Sequence, residues 1–180
     1  MAIRKIARLG HPVLRVPATE VPVDKITSPA IVNLIQDMRD TVEDANGAGL
    51  AAPQIYESVQ VVLLDLEDGN GMQVWINPVI TPLTDEMVVG FEGCLSVPDM
   101  RGAVARYHKI AVSGYTEHGE SFFIELDDHP AVVAQHECDH LQGILYIDRV
   151  EPFTLSFLDE YQKFGHVLWQ FIDDESAEEQ

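Results

Sequence analysis

Residues 135–141 read Q-H-E-C-D-H-L, so His136 and His140 stand four apart with Glu137 between them. On a helix that spacing is about one turn, which lets both imidazoles converge on a single metal ion while the carboxylate reaches a water the ion would polarise. The chemistry implied is hydrolysis, with Glu137 moving protons. A catalytic ion usually takes three protein ligands and leaves a position open, so a third donor has to be found. The extended protease pattern H-E-x-x-H-x-x-G-x-x-H would supply a histidine; Gly143 is present, but Tyr146 stands where that ligand belongs. Glu160 would complete a two-His, one-carboxylate site, yet it sits among regular amphipathic positions and also reads as a solvated helix-face charge. Cys94, in Glu92-Gly93-Cys94-Leu95-Ser96 at the end of a β-like run, is the stronger candidate, its bland alternative being a small buried hydrophobe. Cys138 points about 200° away from His136 on the helical wheel and is assigned to the core.

Two further segments accompany the histidine motif: Gly47-Ala48-Gly49-Leu50-Ala51-Ala52-Pro53-Gln54 and Glu92-Gly93-Cys94-Leu95-Ser96. In order and separation the three resemble the G-x-G-L-A-A-x-Q, E-G-C-L-S and Q-H-E-x-D-H-L motifs of peptide deformylases. Gly10-His11-Pro12-Val13-Leu14-Arg15 is similar to the family's N-terminal G-x-P-x-L-R, so the likeness runs to about Asp148. It implies that Cys94, His136 and His140 hold the metal and that Glu137 is the general acid and base in hydrolysing N-terminal formyl-methionine. It also implies that the Gln54 amide and the Leu95 backbone N–H face the developing oxyanion. Gly49 would admit the substrate backbone, and Arg101 would fix Glu92 or the bound peptide. Gly47 to Gly49, or the strand before Cys94, would pair with the peptide, and Val132 and Val133, one turn before His136, would form its side-chain pocket beside plain core packing. A thiolate donor softens the site, so iron(II) is the expected ion, with zinc(II) and nickel(II) as alternatives. Tyr56 departs from the glycine of many relatives, which implies a differently shaped loop at the cleft edge.

The elements that must hold these residues form an α+β fold: one domain, antiparallel-rich sheets around a central metal-binding helix, and a helix near each end. Ile31, Ile35, Met38 and Val42 recur at helical spacing behind Ser28-Pro29, and Asn46-Gly47 should stop that helix. Short β-like runs follow at residues 59–66, 74–80, 87–91, 110–115 and 121–126, separated by Gly, Pro, Asn and Asp. The metal helix should run from near Asp128 to Gln142, with Ala131, Ala134, Cys138 and Leu141 opposite the histidines. A last helix is expected over 153–171, closing a catalytic domain of residues 1–172, and residues 173–180 are expected to be a poorly ordered acidic tail.

Composition bounds the partners. A formal charge of −19, from 11 basic and 30 acidic residues, argues against nucleic acid. No apolar run approaches the roughly 18 residues of a membrane span, and two cysteines make no disulfide framework, so the cytoplasm is the expected compartment. Relatives that dock on the ribosome are thought to use a basic C-terminal helix, whereas residues 151–180 here hold eight acidic side chains against Lys163, which argues against stable docking. The partners expected are formyl-methionyl peptides and nascent chains. Two other readings compete: a metallopeptidase with Glu160 as ligand, and a catalytically silent metal-bound interaction module. The module must explain why Glu137 and Gln54 remain beside the ligands, since a closed structural site needs neither; the peptidase requires Glu160, and not Cys94, for metal binding.

Overall fold

The computed structural model describes residues 2–178. Helix α1 spans Pro29–Asp44, with Ser28 extended ahead of it and Asn46 left-handed (φ 50°) beyond it. Seven strands follow in the middle of the chain: β1 Gly49–Ala51, β2 Val61–Asp65, β3 Met72–Pro82, β4 Met87–Cys94, β5 Val97–Tyr107, β6 Lys109–Tyr115 and β7 Ser121–Asp127. Helix α2 covers Asp128–Leu141, β8 Ser156–Phe157, and α3 Leu158–Glu178. One antiparallel sheet has the order β1-β2-β3-β6-β7 and the other β4-β5-β8.

Strand β2 shows how the layers form. Its Val61-Val62-Leu63-Leu64 run is buried on both faces, so it reads as continuously apolar rather than alternating. Val61 and Leu63 pack with Leu34, Ile35, Met38 and Val42 of α1, while Val62 and Leu64 pack with Ala131, Ala134 and Leu141 of α2. A third cluster, with Leu14, Val97, Val104, Leu145 and Tyr146, supports the smaller sheet. Helix α2 is thereby held centrally, and Gln135 stitches it to β5: its Oε1 accepts from the Tyr107 N–H at 3.0 Å and its Nε2 donates to the Tyr107 carbonyl at 2.8 Å. Among the described residues no helix is long and apolar enough to cross a membrane.

Two expectations are corrected. Residues 97–107 form the long strand β5, which Pro98, left-handed Asp99 (φ 59°) and Gly102 disguise as a loop. The last helix starts at Leu158 rather than 153, because Ser156 and Phe157 pair with Arg101 and Met100 of β5. The helix runs to Glu178, and residues 179–180 of the expected acidic tail lie outside the described ones. Tyr56 adopts the left-handed conformation a glycine would (φ 70°), and its ring meets His11 edge-on at 4.9 Å.

Candidate metal centre

Strands β1 and β4 are edge strands of the two sheets, and α2 lies between them. The cavity they enclose has a volume of about 870 Å³ and is lined by residues 45–49 on one side, 88–95 on the other, and Val132, Val133, His136 and Glu137 of α2. At its inner end, ligand atoms of Cys94, His136 and His140 all lie within 4.8 Å of one another. The Cys94 Sγ stands 3.3 Å from His140 Nε2. Bonds of about 2.0 Å to nitrogen and 2.3 Å to sulfur in a tetrahedral site set donor atoms roughly 3.3–3.8 Å apart, so this donor set fits one divalent ion. Cys138, on the other side of α2, is half-buried and outside the cluster.

Buried polar groups around the cluster are tied into a chain of ion pairs. His136 Nδ1 meets Glu92 Oε2 at 2.7 Å, which leaves Nε2 for the metal. Arg106 grips Glu92 with Nε and Nη2 at 2.8 and 3.0 Å, and its Nη1 reaches Asp139 at 2.5 Å. Arg149 holds Asp139 from outside at 2.7 and 2.9 Å. Burial alone would raise the Glu92 pKa, but the hydrogen bonds and charges of Arg106 and His136 outweigh it and bring the carboxyl to about 2. Burial likewise opposes ionisation of Cys94, yet the charge of His140 and hydrogen bonding from His136 hold its thiol well below the ordinary value.

Glu137 is treated differently by its surroundings. Burial pushes its carboxyl up against the opposing charges of His136 and His140. Its Oε2 is buried with no hydrogen-bond partner among the described residues. Gln54, 2 % exposed, is fixed by its Oε1 accepting from the Ala51 N–H at 2.8 Å, and this turns its Nε2 toward Cys94 Sγ (3.4 Å) and Ser96 Oγ (3.2 Å). A thiolate, two imidazoles, an unpaired carboxyl and an aimed amide donor therefore share one cleft.

The family model for polypeptide deformylase matches residues 3–155. The chain belongs to the polypeptide deformylase family. Curated deformylases similar to it include peptide deformylase 2 of Ralstonia nicotianae, 45% identical over 84% of this chain and 89% of that one. Peptide deformylase 1 of Nitrosomonas europaea is 42% identical over 91% and 92%. Among solved structures, the Thermotoga maritima deformylase aligns with a TM-score of 0.79 at 38% identity, covering 84% of this chain and 100% of that one. The actinonin-bound class I type b deformylase of Acinetobacter baumannii aligns at 0.78 and 35%, covering 84% and 100%. A structure of the same A. baumannii enzyme described as Met-Ala-Ser bound aligns at 0.77 and 34%, covering 83% and 99%. Membership makes this chain a metal-dependent hydrolase.

Against the deformylase motifs, several side chains sit where the sequence places them and others do not. Cys94, His136 and His140 converge, with Glu137 and Gln54 beside them, and Gly47, Gly49, Leu95, Val132 and Val133 line the cavity. Arg101 also lines it but is not the partner of Glu92: its Nη1 donates to the Met100 carbonyl at 2.8 Å, and its guanidinium lies across Gly93, where a Cβ would stand. Arg106 takes that role instead. Both oxygens of Glu92 are engaged, one by Arg106 alone and the other by Arg106 and His136. At Gly49 the group in closest approach is the Glu137 carboxylate, which a Cβ would overlap. Glu160 is half exposed and bonds Lys163 at 2.9 Å, outside the cluster. Arg106, Asp139 and Gln135 were missed as supporting residues: the signal for Arg106 is its burial on β5, invisible while 97–107 reads as loop, whereas Asp139 and Gln135 stand inside the histidine motif on α2.

Proposed function

We infer that this chain hydrolyses the formyl amide at the N-terminal methionine of new polypeptides, releasing formate and a free amino group. The observation that carries the reading is Glu137, a buried carboxyl with an unpartnered oxygen beside a thiolate-imidazole-imidazole cluster. A closed structural metal site needs no such group, and this disfavours the silent-module reading. A divalent ion held by Cys94, His136 and His140 would supply Lewis acidity, lowering the pKa of a coordinated water from about 15.7 toward 7.

The chain's own residues do the rest. Glu137 accepts the proton of the attacking water, and its raised pKa suits a group that must give the proton back, here to the amine nitrogen as the C–N bond breaks. Gln54 Nε2 and the Leu95 backbone N–H donate to the formyl oxygen as charge builds on it, one such donor being worth about 3 kcal/mol in the transition state. Gly47 to Gly49 or β4 pairs with the peptide backbone, Val132 and Val133 flank the methionine side chain, and Arg101 borders the peptide further along.

Iron(II) is the ion we assign, because one thiolate makes the donor set softer than three imidazoles; zinc(II) and nickel(II) are the alternatives. Two free cysteines, one of them a ligand, accord with work in the reducing cytoplasm. The charge of −19 sets nucleic acid and anionic membrane surfaces aside as partners, and an α3 bearing Asp159 and Glu160 is unsuited to stable docking on ribosomal RNA. The test is formate release from formyl-Met-Ala-Ser by anaerobically purified protein, metal-free and reloaded separately with iron(II), nickel(II) and zinc(II). Turnover should follow metal loading and be greatest with iron(II); no formate at any loading would sink the reading.

A further inference from the structure

Four glycines line the cleft beside the cluster, and three are glycine for a visible reason. A Cβ at Gly47 would come within 2.9 Å of Leu95 Cδ1, one at Gly49 would overlap Glu137, and one at Gly93 would overlap Arg101. Gly90 is different. A Cβ there would meet no heavy atom within 4 Å among the described residues, and its φ lies outside the left-handed region. Neither backbone nor packing demands a glycine at this position.

The missing side chain has a direction. Alternate residues of a strand share a face, so Gly90 looks the same way as Val88 and Glu92, and Glu92 reaches His136 on α2. The space beside Gly90 therefore opens toward α2, where Val132 precedes His136 by one turn, and all of these residues line the same cavity. A branched residue at 90 would project into the room between β4 and the α2 wall.

We propose that Gly90 sets the width of the pocket for the first side chain, so that the enzyme also accepts formylated N-terminal residues bulkier than methionine, aromatic ones included. This rests on the deformylase reading and names a wider substrate class for it. The enlarged room costs nothing in backbone strain and leaves Cys94, His136 and His140 untouched.

The experiment compares formyl-Phe-Ala-Ser with formyl-Met-Ala-Ser on the metal-loaded wild type and on Gly90→Ala and Gly90→Val, with melting temperature and bound metal measured for each. Calorimetric binding of the products Phe-Ala-Ser and Met-Ala-Ser is the second readout. The wild type should have kcat/KM values for the two substrates within about tenfold, and Gly90→Val should lower the phenylalanine value at least about tenfold more than the methionine value, with Gly90→Ala between. Affinity for Phe-Ala-Ser should fall in the same order. Wild-type discrimination beyond about tenfold, or equal losses on both substrates in a folded, metal-loaded variant, overturns the proposal. If Gly90→Val does not fold, Gly90→Ala decides by the same comparison. Should no formyl peptide be turned over, the deformylase reading fails, while the two product affinities still report whether the pocket is wide.

Discussion

Helices α2 and α3 solve opposite problems. In the C-terminal half of α2 the polar residues point inward: His136, Asp139 and Gln135 each have a partner, and among the described buried side-chain atoms of this helix only Oε2 of Glu137 and Nδ1 of His140 are left unbonded. In α3 several apolar residues point outward: Phe164 is 53% exposed and Trp169 38%, and the rings of Tyr161 and Trp169 meet Phe91 at 4.7 and 5.1 Å. Disturbance of α2 should therefore appear in chemistry and cooperative stability, and disturbance of α3 in modest packing losses.

The comparison breaks most sharply at Glu137. Glu137→Gln keeps the volume and removes the proton carrier, so kcat should fall by about 10²–10⁴ while melting temperature and metal content hold. A variant that kept full rate would show that the unpaired carboxyl is idle. Next comes the ion-pair chain: Arg106→Leu strips buried Glu92 of its guanidinium and leaves Asp139 to Arg149 alone, and should cost about 3–5 kcal/mol in denaturant unfolding. Acid unfolding sharpens the same point. Glu92 has a folded pKa of about 2 against an ordinary 4.5, so its contribution is complete above pH 4.5 and is lost as pH falls from there toward 2. Glu92→Gln should flatten that part of the stability–pH curve, and an unchanged acid limb would contradict the assignment. On α3 the effects shrink. Trp169→Ala should cost about 1–2 kcal/mol, less than a buried tryptophan, with kcat for formyl-Met-Ala-Ser retained. Glu160→Ala should change neither melting temperature nor bound metal; loss of metal would revive the peptidase account.

How far the sequence carried depended on whether a signal was local. Helix α1 and the metal helix announce themselves through Pro29, Asn46 and the spacing of Ile35, Met38, His136 and His140, all decided within a turn or two. Cys94 is distant in the chain, and only its motif context separated it from a buried hydrophobe. The miss was β5. Its Pro98, Asp99 and Gly102 carry the local marks of a loop, while its pairing with β4 comes from residues outside any short window. With that strand hidden, nothing in the sequence brings Arg106 to Glu92, and Arg101, closer in the chain, is the arginine the resemblance offers for Glu92 or the bound peptide. The error at 153–157 has the same origin: Phe157 keeps helical spacing with Tyr161 and Phe164, but the edge of β5 claims it as a strand.

The bare Cα of Gly49 leaves the β1 edge in direct contact with the Glu137 carboxylate, where any Cβ would collide. Were a peptide to pair along that edge, as proposed, the reach from its first residue to that carboxylate would be fixed by the scaffold and not by whichever residues follow.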